Sequence, residues 1–372
     1  IMETQPGSVN WAEVNRTLNR GEARCMAWHA IAHGADAILY WQWRPAPGGQ
    51  EQLHGSLLGA DGAPRPFYSE AKQLGQELRK VNGVLEAAEN KNQVAILHTY
   101  ESRWSINWQK HNRNFDPVEL LLHFYRPLID RNIGVDILGS DADFGGYKLL
   151  IASGTVILTD AMCRSLQSYV EQGGLLVLTV RCGQKDAYNA LFPTLQPGPL
   201  REIAGAEVAE YYALDQPAPV DARWQNRRAG EGTLWAEMLR PLHSGTQTLA
   251  SYGECNGWLD GAPAVTMKQA GPNGGAVVMV GTVLDSALQD SLTTWLLAAA
   301  RVQPELPDSP PGVEIARRVR SDGTAVHFYI NHTAELKEAP LHDRAEDLLS
   351  GEHVQGSVIL EPYAVKLFQS AH

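Results

Sequence analysis

The chain has 372 residues, a formal charge of −11 at neutral pH, 44% apolar residues and 20% charged residues. That is a globular composition with room for two or three domains; it excludes a disordered or collagen-like chain, and no window nears the ~18 uninterrupted apolar residues of a membrane span. The acidic balance argues against a nucleic-acid partner, which needs clustered Lys and Arg to neutralise phosphate.

The four cysteines, Cys25, Cys163, Cys182 and Cys255, stand far apart and suit neither a disulfide framework nor a zinc site. Ten tryptophans are a large share of the 8% aromatic residues, and stacked indoles often line sugar sites. The first residue is Ile1, neither an initiator Met nor a targeting segment. The expectation is the C-terminal portion of a longer polypeptide.

In chain order, residues 22–33 have helical composition and stop at Gly34, a suitable C-terminal cap. Ala37-Ile38-Leu39-Tyr40-Trp41-Gln42-Trp43 reads as a buried strand ending in a Pro/Gly loop. A second helix over 69–81 carries Leu74 and Leu78 at i, i+4. With the short entry at the start of the chain as the first strand, this β-α-β-α order implies parallel pairing.

Val94-Ala95-Ile96-Leu97 is the next strand, and Asp116-Pro117-Val118-Glu119 is a capping box with proline at the first helical position. Short strands over 135–138 and 149–152, a helix over 160–172 and the apolar run 175–180 continue the alternation. After a less regular stretch, a strand over 276–280 leads to a closing helix over 286–300. The expectation is a doubly wound α/β domain. A Pro-rich linker, 304–311, separates it from alternating strands that read as a small antiparallel β domain.

Glu3 follows a short apolar entry, and a carboxylate at the end of a parallel strand is where barrel enzymes hold catalytic groups. After the aromatic strand, Glu51 and His54 put a carboxylate and an imidazole three residues apart, acceptors that sugar hydroxyls require. Together four segments resemble glycoside hydrolase family 42, the β-galactosidases: Met2-Glu3-x-x-Pro6-x-x-x-Asn10-Trp11, Ala32-His33-Gly34-Ala35-Asp36, Trp41-Gln42-Trp43-Arg44 and Gln50-Glu51-Gln52-Leu53-His54. Arg181-x-Gly183-x-Lys185-Asp186, Ile330-Asn331-His332-Thr333 and Leu360-Glu361-Pro362-Tyr363 extend the resemblance over essentially the whole chain.

The resemblance implies an α/β fold in three parts. Residues 1–85 would be the last two units of a (β/α)8 barrel. Residues 90–303 would be a trimerisation domain resembling class I glutamine amidotransferases, and 308–372 an antiparallel β domain. It implies a retaining β-galactosidase with Glu3 as nucleophile and Trp11, Trp41, Glu51 and His54 holding galactose, assembled as a homotrimer and located in the cytoplasm. The second carboxylate of a retaining pair would lie upstream of this sequence. The alternative is a non-catalytic oligomerisation or sugar-binding module. No metal and no cofactor is expected, since two carboxylates need none. Cys182 follows a central strand as an amidotransferase nucleophile would, but no His-x-Glu pair accompanies it. The Asn15 and Asn331 sequons lie inside the shared motifs and read as chance.

Overall fold

The computed structural model describes residues 1–271, 273–303 and 309–370. They form two compact units. The first joins residues 1–91 and 130–134 to the C-terminal residues from 309; the second holds 92–129 and 135–303. Residues 304–308 of the expected linker lie outside the described residues.

In the first unit, Thr4 pairs in parallel with Tyr40: the Thr4 amide donates to the Leu39 carbonyl at 2.9 Å, and the Trp41 amide to the Thr4 carbonyl at 2.9 Å. This corrects the buried strand expected over 37–43. Only the bridge at Tyr40 forms, and Trp41 and Trp43 stay 42% and 60% exposed. Apolar composition alone does not make a strand; a ladder needs neighbours on its edges, and residues 1–4 supply only a short one.

Helices α1 (Glu22–Ala32) and α2 (Tyr68–Leu85) follow. Gly34 ends α1 at φ +100°, a conformation that favours glycine. Trp28, Ile31, Leu74 and Val81 bury one face of the pair.

The second unit begins with β1 (Val94–Leu97), α3 (Tyr100–Trp108), α4 (Pro117–Ile129), β2 (Val135–Leu138), β3 (Leu149–Ala152), α5 (Asp160–Glu171) and β4 (Leu175–Leu178). After the short helix α6 (Arg201–Ala204) come β5 (Ala206–Ala213), β6 (Ala218–Ala222), β7 (Arg228–Pro241), β8 (Gln247–Tyr252) and β9 (Pro263–Ala270). Strands β10 (Gly275–Val280) and β11 (Thr282–Leu284) and helix α7 (Ser286–Ala299) close it.

Strands β2-β1-β3-β4-β10 run parallel, and β9, β8, β6, β7 and β11 continue the sheet antiparallel from β10. Strands β1, β3 and β4 are buried at every residue, as parallel strands covered on both faces must be. Asp116 Oδ1 accepts from the Val118 and Glu119 amides, so the proline start of α4 is capped as expected. The antiparallel lobe occupies the stretch that reads as irregular. Bulges in β5, β8 and β11 break the period-two pattern, and Pro219, Gly230 and Gly232 read as turn residues.

A buried carboxyl organises this unit. Glu237 on β7 accepts at Oε1 from the Arg181 amide (2.7 Å), Gln196 Nε2 (2.8 Å) and Trp235 Nε1 (3.0 Å). Burial pushes its pKa up from 4.5 to about 7, against the pull of those bonds. Between these values the folded chain holds a proton that the unfolded chain has released, so stability falls as pH rises through that window. Glu237→Gln removes this slope. Comparing urea unfolding of the two proteins at about pH 5 and about pH 8 checks it, with a difference between their pH responses on the order of 3 kcal/mol.

Returning to the first unit, β12 (Val313–Val319), β13 (Ala325–Asn331), β14 (Lys337–Asp347), β15 (His353–Leu360) and β16 (Val365–Ser370) form an antiparallel sheet in the order β12-β13-β16-β14-β15. Alternation divides its faces. Val326, Phe328, Ile330, Val365 and Leu367 pack on α1 and α2, whereas Val313, Ile315, Tyr329 and Phe368 form a separate cluster on the other face. Asn331 is fully buried, its Nδ2 donating to the Glu335, Leu360 and Glu361 carbonyls, so it is a structural amide and not a glycan acceptor. No helix among the described residues is long and apolar enough to cross a membrane.

Candidate active site

The Thr4–Tyr40 bridge sets the geometry. It puts Glu3 and Trp41 at adjacent parallel segments, with the Glu3 side chain exposed and Trp41 half-exposed. Residues 5–10 then cross residues 50–56. The Gly55 amide donates to the Ser8 carbonyl at 2.6 Å, and Asn10 Nδ2 donates to the Gln50 carbonyl. A Cβ on Gly55 would meet Ser8 O at 2.6 Å and Gly7 C at 2.9 Å, so the crossing requires glycine there.

That crossing carries the acceptors. Trp41 Nε1 donates to Glu51 Oε2 at 3.1 Å, and Gln42 Nε2 reaches the Glu51 carbonyl at 3.4 Å. His54 is only 8% exposed, and its Nδ1 lies 3.1 Å from the Gly55 carbonyl. A carbonyl only accepts, so the proton of that bond sits on Nδ1 and Nε2 is left as an acceptor. Trp41 and Glu51 are thus joined directly and His54 lies three residues on. Trp11 stands 77% exposed on the loop after Asn10. Met2, Val14 and Leu53 are exposed as well, at 83%, 80% and 85%. Apolar surface of this kind normally marks a covered face or a ligand site.

The amidotransferase-like turn after β4 has lost its nucleophile. The left-handed position expected of such an elbow, φ +66°, belongs to Arg181. Its guanidinium lies over Trp235 at 4.7 Å and donates to the Gln109 and Lys110 carbonyls. Cys182 is 1% exposed with Sγ 2.9 Å from the Ala152 carbonyl, and burial pushes its thiol up to about 12. The thiolate needed for attack is absent at neutral pH.

Along the chain, residues 1–81 match a family described as β-galactosidase, residues 92–303 a β-galactosidase trimerisation domain, and residues 312–370 a β-galactosidase C-terminal domain. The β-galactosidase Bga of Halorubrum lacusprofundi is 35% identical over 334 residues, covering 86% of this chain and 46% of that protein. The β-galactosidase LacZ of Heyndrickxia coagulans is 31% identical over 376 residues, covering 99% and 54%. The solved β-galactosidase of Bacillus circulans sp. alkalophilus superposes at a TM-score of 0.92 and 26% identity, over 100% of this chain and 55% of that one.

The chain spans about half the length of the curated relatives it matches. Its fold is the end of a (β/α)8 barrel, then a doubly wound α/β domain, then a small antiparallel sheet. With the trimerisation-domain match alone taking in more than half of its residues, the chain belongs to glycoside hydrolase family 42, the β-galactosidases.

Proposed function

We propose that the protein acts as a retaining β-galactosidase, with Glu3 as the nucleophile and the acid/base carboxylate on a barrel strand outside this sequence. The observation that carries the reading is the parallel Thr4–Tyr40 pairing, which sets the segment bearing Glu3 against the segment whose Trp41 indole bonds Glu51.

The Glu3 carboxylate attacks the anomeric carbon as the glycosidic C–O bond breaks. The aglycone oxygen takes its proton from the partner acid. Water, deprotonated by that same partner, then displaces Glu3 and restores the carboxylate, so configuration is retained. Glu51 has one oxygen committed to the Trp41 indole and offers the other to a galactose hydroxyl; His54 Nε2 is a second acceptor. Trp41 and Trp11 supply ring faces for the apolar side of the sugar. Residues 1–85, 90–303 and 308–372 serve as barrel end, oligomerisation domain and capping β domain, with three copies assembled through the second; the trimerisation-domain match supports that assembly.

Covalent trapping tests the assignment. A 2-deoxy-2-fluoro-β-galactoside with a dinitrophenolate leaving group needs no acid for the first step, while fluorine slows release of the adduct. The expected product carries the sugar on the peptide containing Glu3. A label on another carboxylate overturns Glu3 as nucleophile, and a folded chain that binds galactose without any label favours the sugar-binding module.

A further inference from the structure

One polar cluster in the first unit uses none of the residues proposed to hold galactose. His29 in the last turn of α1 and His33 at its C-terminal cap stand four residues apart, with ring centroids 4.7 Å apart. His332 directly follows β13, anchored by its amide to the Gly312 carbonyl at 2.9 Å, and its ring lies 5.1 Å from His29. All three rings turn Nε2 toward Glu314 on β12. His332 Nε2 lies 2.8 Å and His29 Nε2 3.3 Å from Oε2, and His33 Nε2 lies 2.5 Å from Oε1. The carboxylate side chain is 7% exposed, whereas His29, His33 and His332 are 43%, 24% and 38% exposed. A buried anion thus forms the floor of a shallow cup whose rim is three imidazoles open to solvent.

We propose that His29, His332 and Glu314 bind a divalent transition cation, zinc foremost, with His33 holding the second carboxylate oxygen as a positioning residue. The ligand atoms Nε2, Nε2 and Oε2 all lie within 4.8 Å of one another. Tetrahedral zinc with bonds of about 2.0–2.1 Å separates its ligands by about 3.3–3.4 Å. His29 and Glu314 already stand at that separation, and the His332 ring needs to withdraw by only about half an ångström to match it.

Two imidazoles and one carboxylate suit zinc or copper and are poor for calcium or magnesium, which demand oxygen. Cys25, one turn before His29, directs its thiol at the Asn331 carbonyl (3.7 Å) and burial pushes it up to about 12, which leaves sulfur out of the set. Three protein ligands leave a fourth position for water. A cation here would join α1 to the β12–β13 edge, tying the barrel end to the sheet beneath it.

The test uses the untagged full chain, stripped with chelator and titrated with zinc and, in parallel, cobalt. Zinc is expected to bind one equivalent per chain in calorimetry and to raise the melting temperature, with cobalt giving visible d–d bands of nitrogen/oxygen coordination. His332→Gln weakens binding at least about tenfold, and His33→Gln by about ten- to a hundredfold as an outer partner does. His243→Gln, in the second unit, leaves affinity unchanged. Circular dichroism of the metal-free variants confirms that they are folded.

Equal affinity in wild type and a folded His332→Gln overturns the site. So does a wild-type chain whose melting temperature ignores zinc, an outcome that leaves a hydrogen-bonded carboxylate cluster only. A near-ultraviolet thiolate-to-cobalt band overturns it too, assigning uptake to the exposed Cys255.

Discussion

Glu3→Gln lowers the hydrolysis of nitrophenyl β-galactoside at least about a thousandfold in any preparation of the protein that turns this substrate over, equivalent to about 4 kcal/mol of barrier. The amide keeps the shape of the carboxylate and cannot form the glycosyl ester, so the covalent route closes while substrate binding remains. The loss therefore falls on kcat, with KM little changed. The side chain is exposed and lies beside the Thr4–Tyr40 bridge without being part of it, so the substitution leaves the backbone pairing in place. Added azide supplies the second readout. In Glu3→Ala the anion enters from the vacated face and yields an α-galactosyl azide, inverted at the anomeric carbon. Full activity in Glu3→Gln, or rescue with retained configuration, refutes Glu3 as the nucleophile.

Trp28→Ala destabilises the first unit by about 3–5 kcal/mol, the cost of a large aromatic cavity in a closed core. Trp28 is fully buried on α1, 6.3 Å from the Phe328 ring on β13, and its Nε1 donates to Glu77 Oε2 at 2.9 Å. The same oxygen accepts from Arg24 Nε at 2.8 Å and the other from Gln73 Nε2 at 2.8 Å, so removing the indole strips one of three bonds from a partly buried carboxylate. Trp28→Phe keeps most of the ring volume and loses the hydrogen bond, for about 1–2 kcal/mol. Hydrogen exchange resolves the effect by region. Amides of α2, β12 and β13 lose protection in Trp28→Ala while those of β1, β3 and β4 do not. Uniform loss across both units would contradict a separate core.

What the sequence made legible follows the physics of each element. Strands β1, β3 and β4 are read directly, because a strand buried on both faces needs no alternation to be recognised. Asp116-Pro117 announces α4 because the cap and the missing amide act locally. The antiparallel lobe over β5–β9 is hidden, since its bulges and glycines blur the periodic signal.

At the candidate site, local pattern alone describes Glu3 as a solvated end and Glu51 as a loop charge. Only the family resemblance joins them to Trp11, Trp41 and His54. The structure adds the Trp41–Glu51 bond and the Gly55 crossing, neither of which spacing reveals. Glu314 reads as one carboxylate in an apolar strand. His29 and His33 stand four residues apart, but His332 comes from the far end of the chain, and such meetings are set by tertiary packing.

The core shared by α1, α2 and the sheet of β12, β13 and β16 has a consequence for how the molecule is made. Residues near the two ends of this sequence share one core, and most of the second unit lies between them in the chain. During synthesis the second unit can fold as soon as it emerges, whereas Trp28 and Leu74 must wait, with apolar faces uncovered, for Phe328 and Leu367 to arrive. The interval in which the nascent chain is most exposed to aggregation is therefore the time taken to translate the second unit.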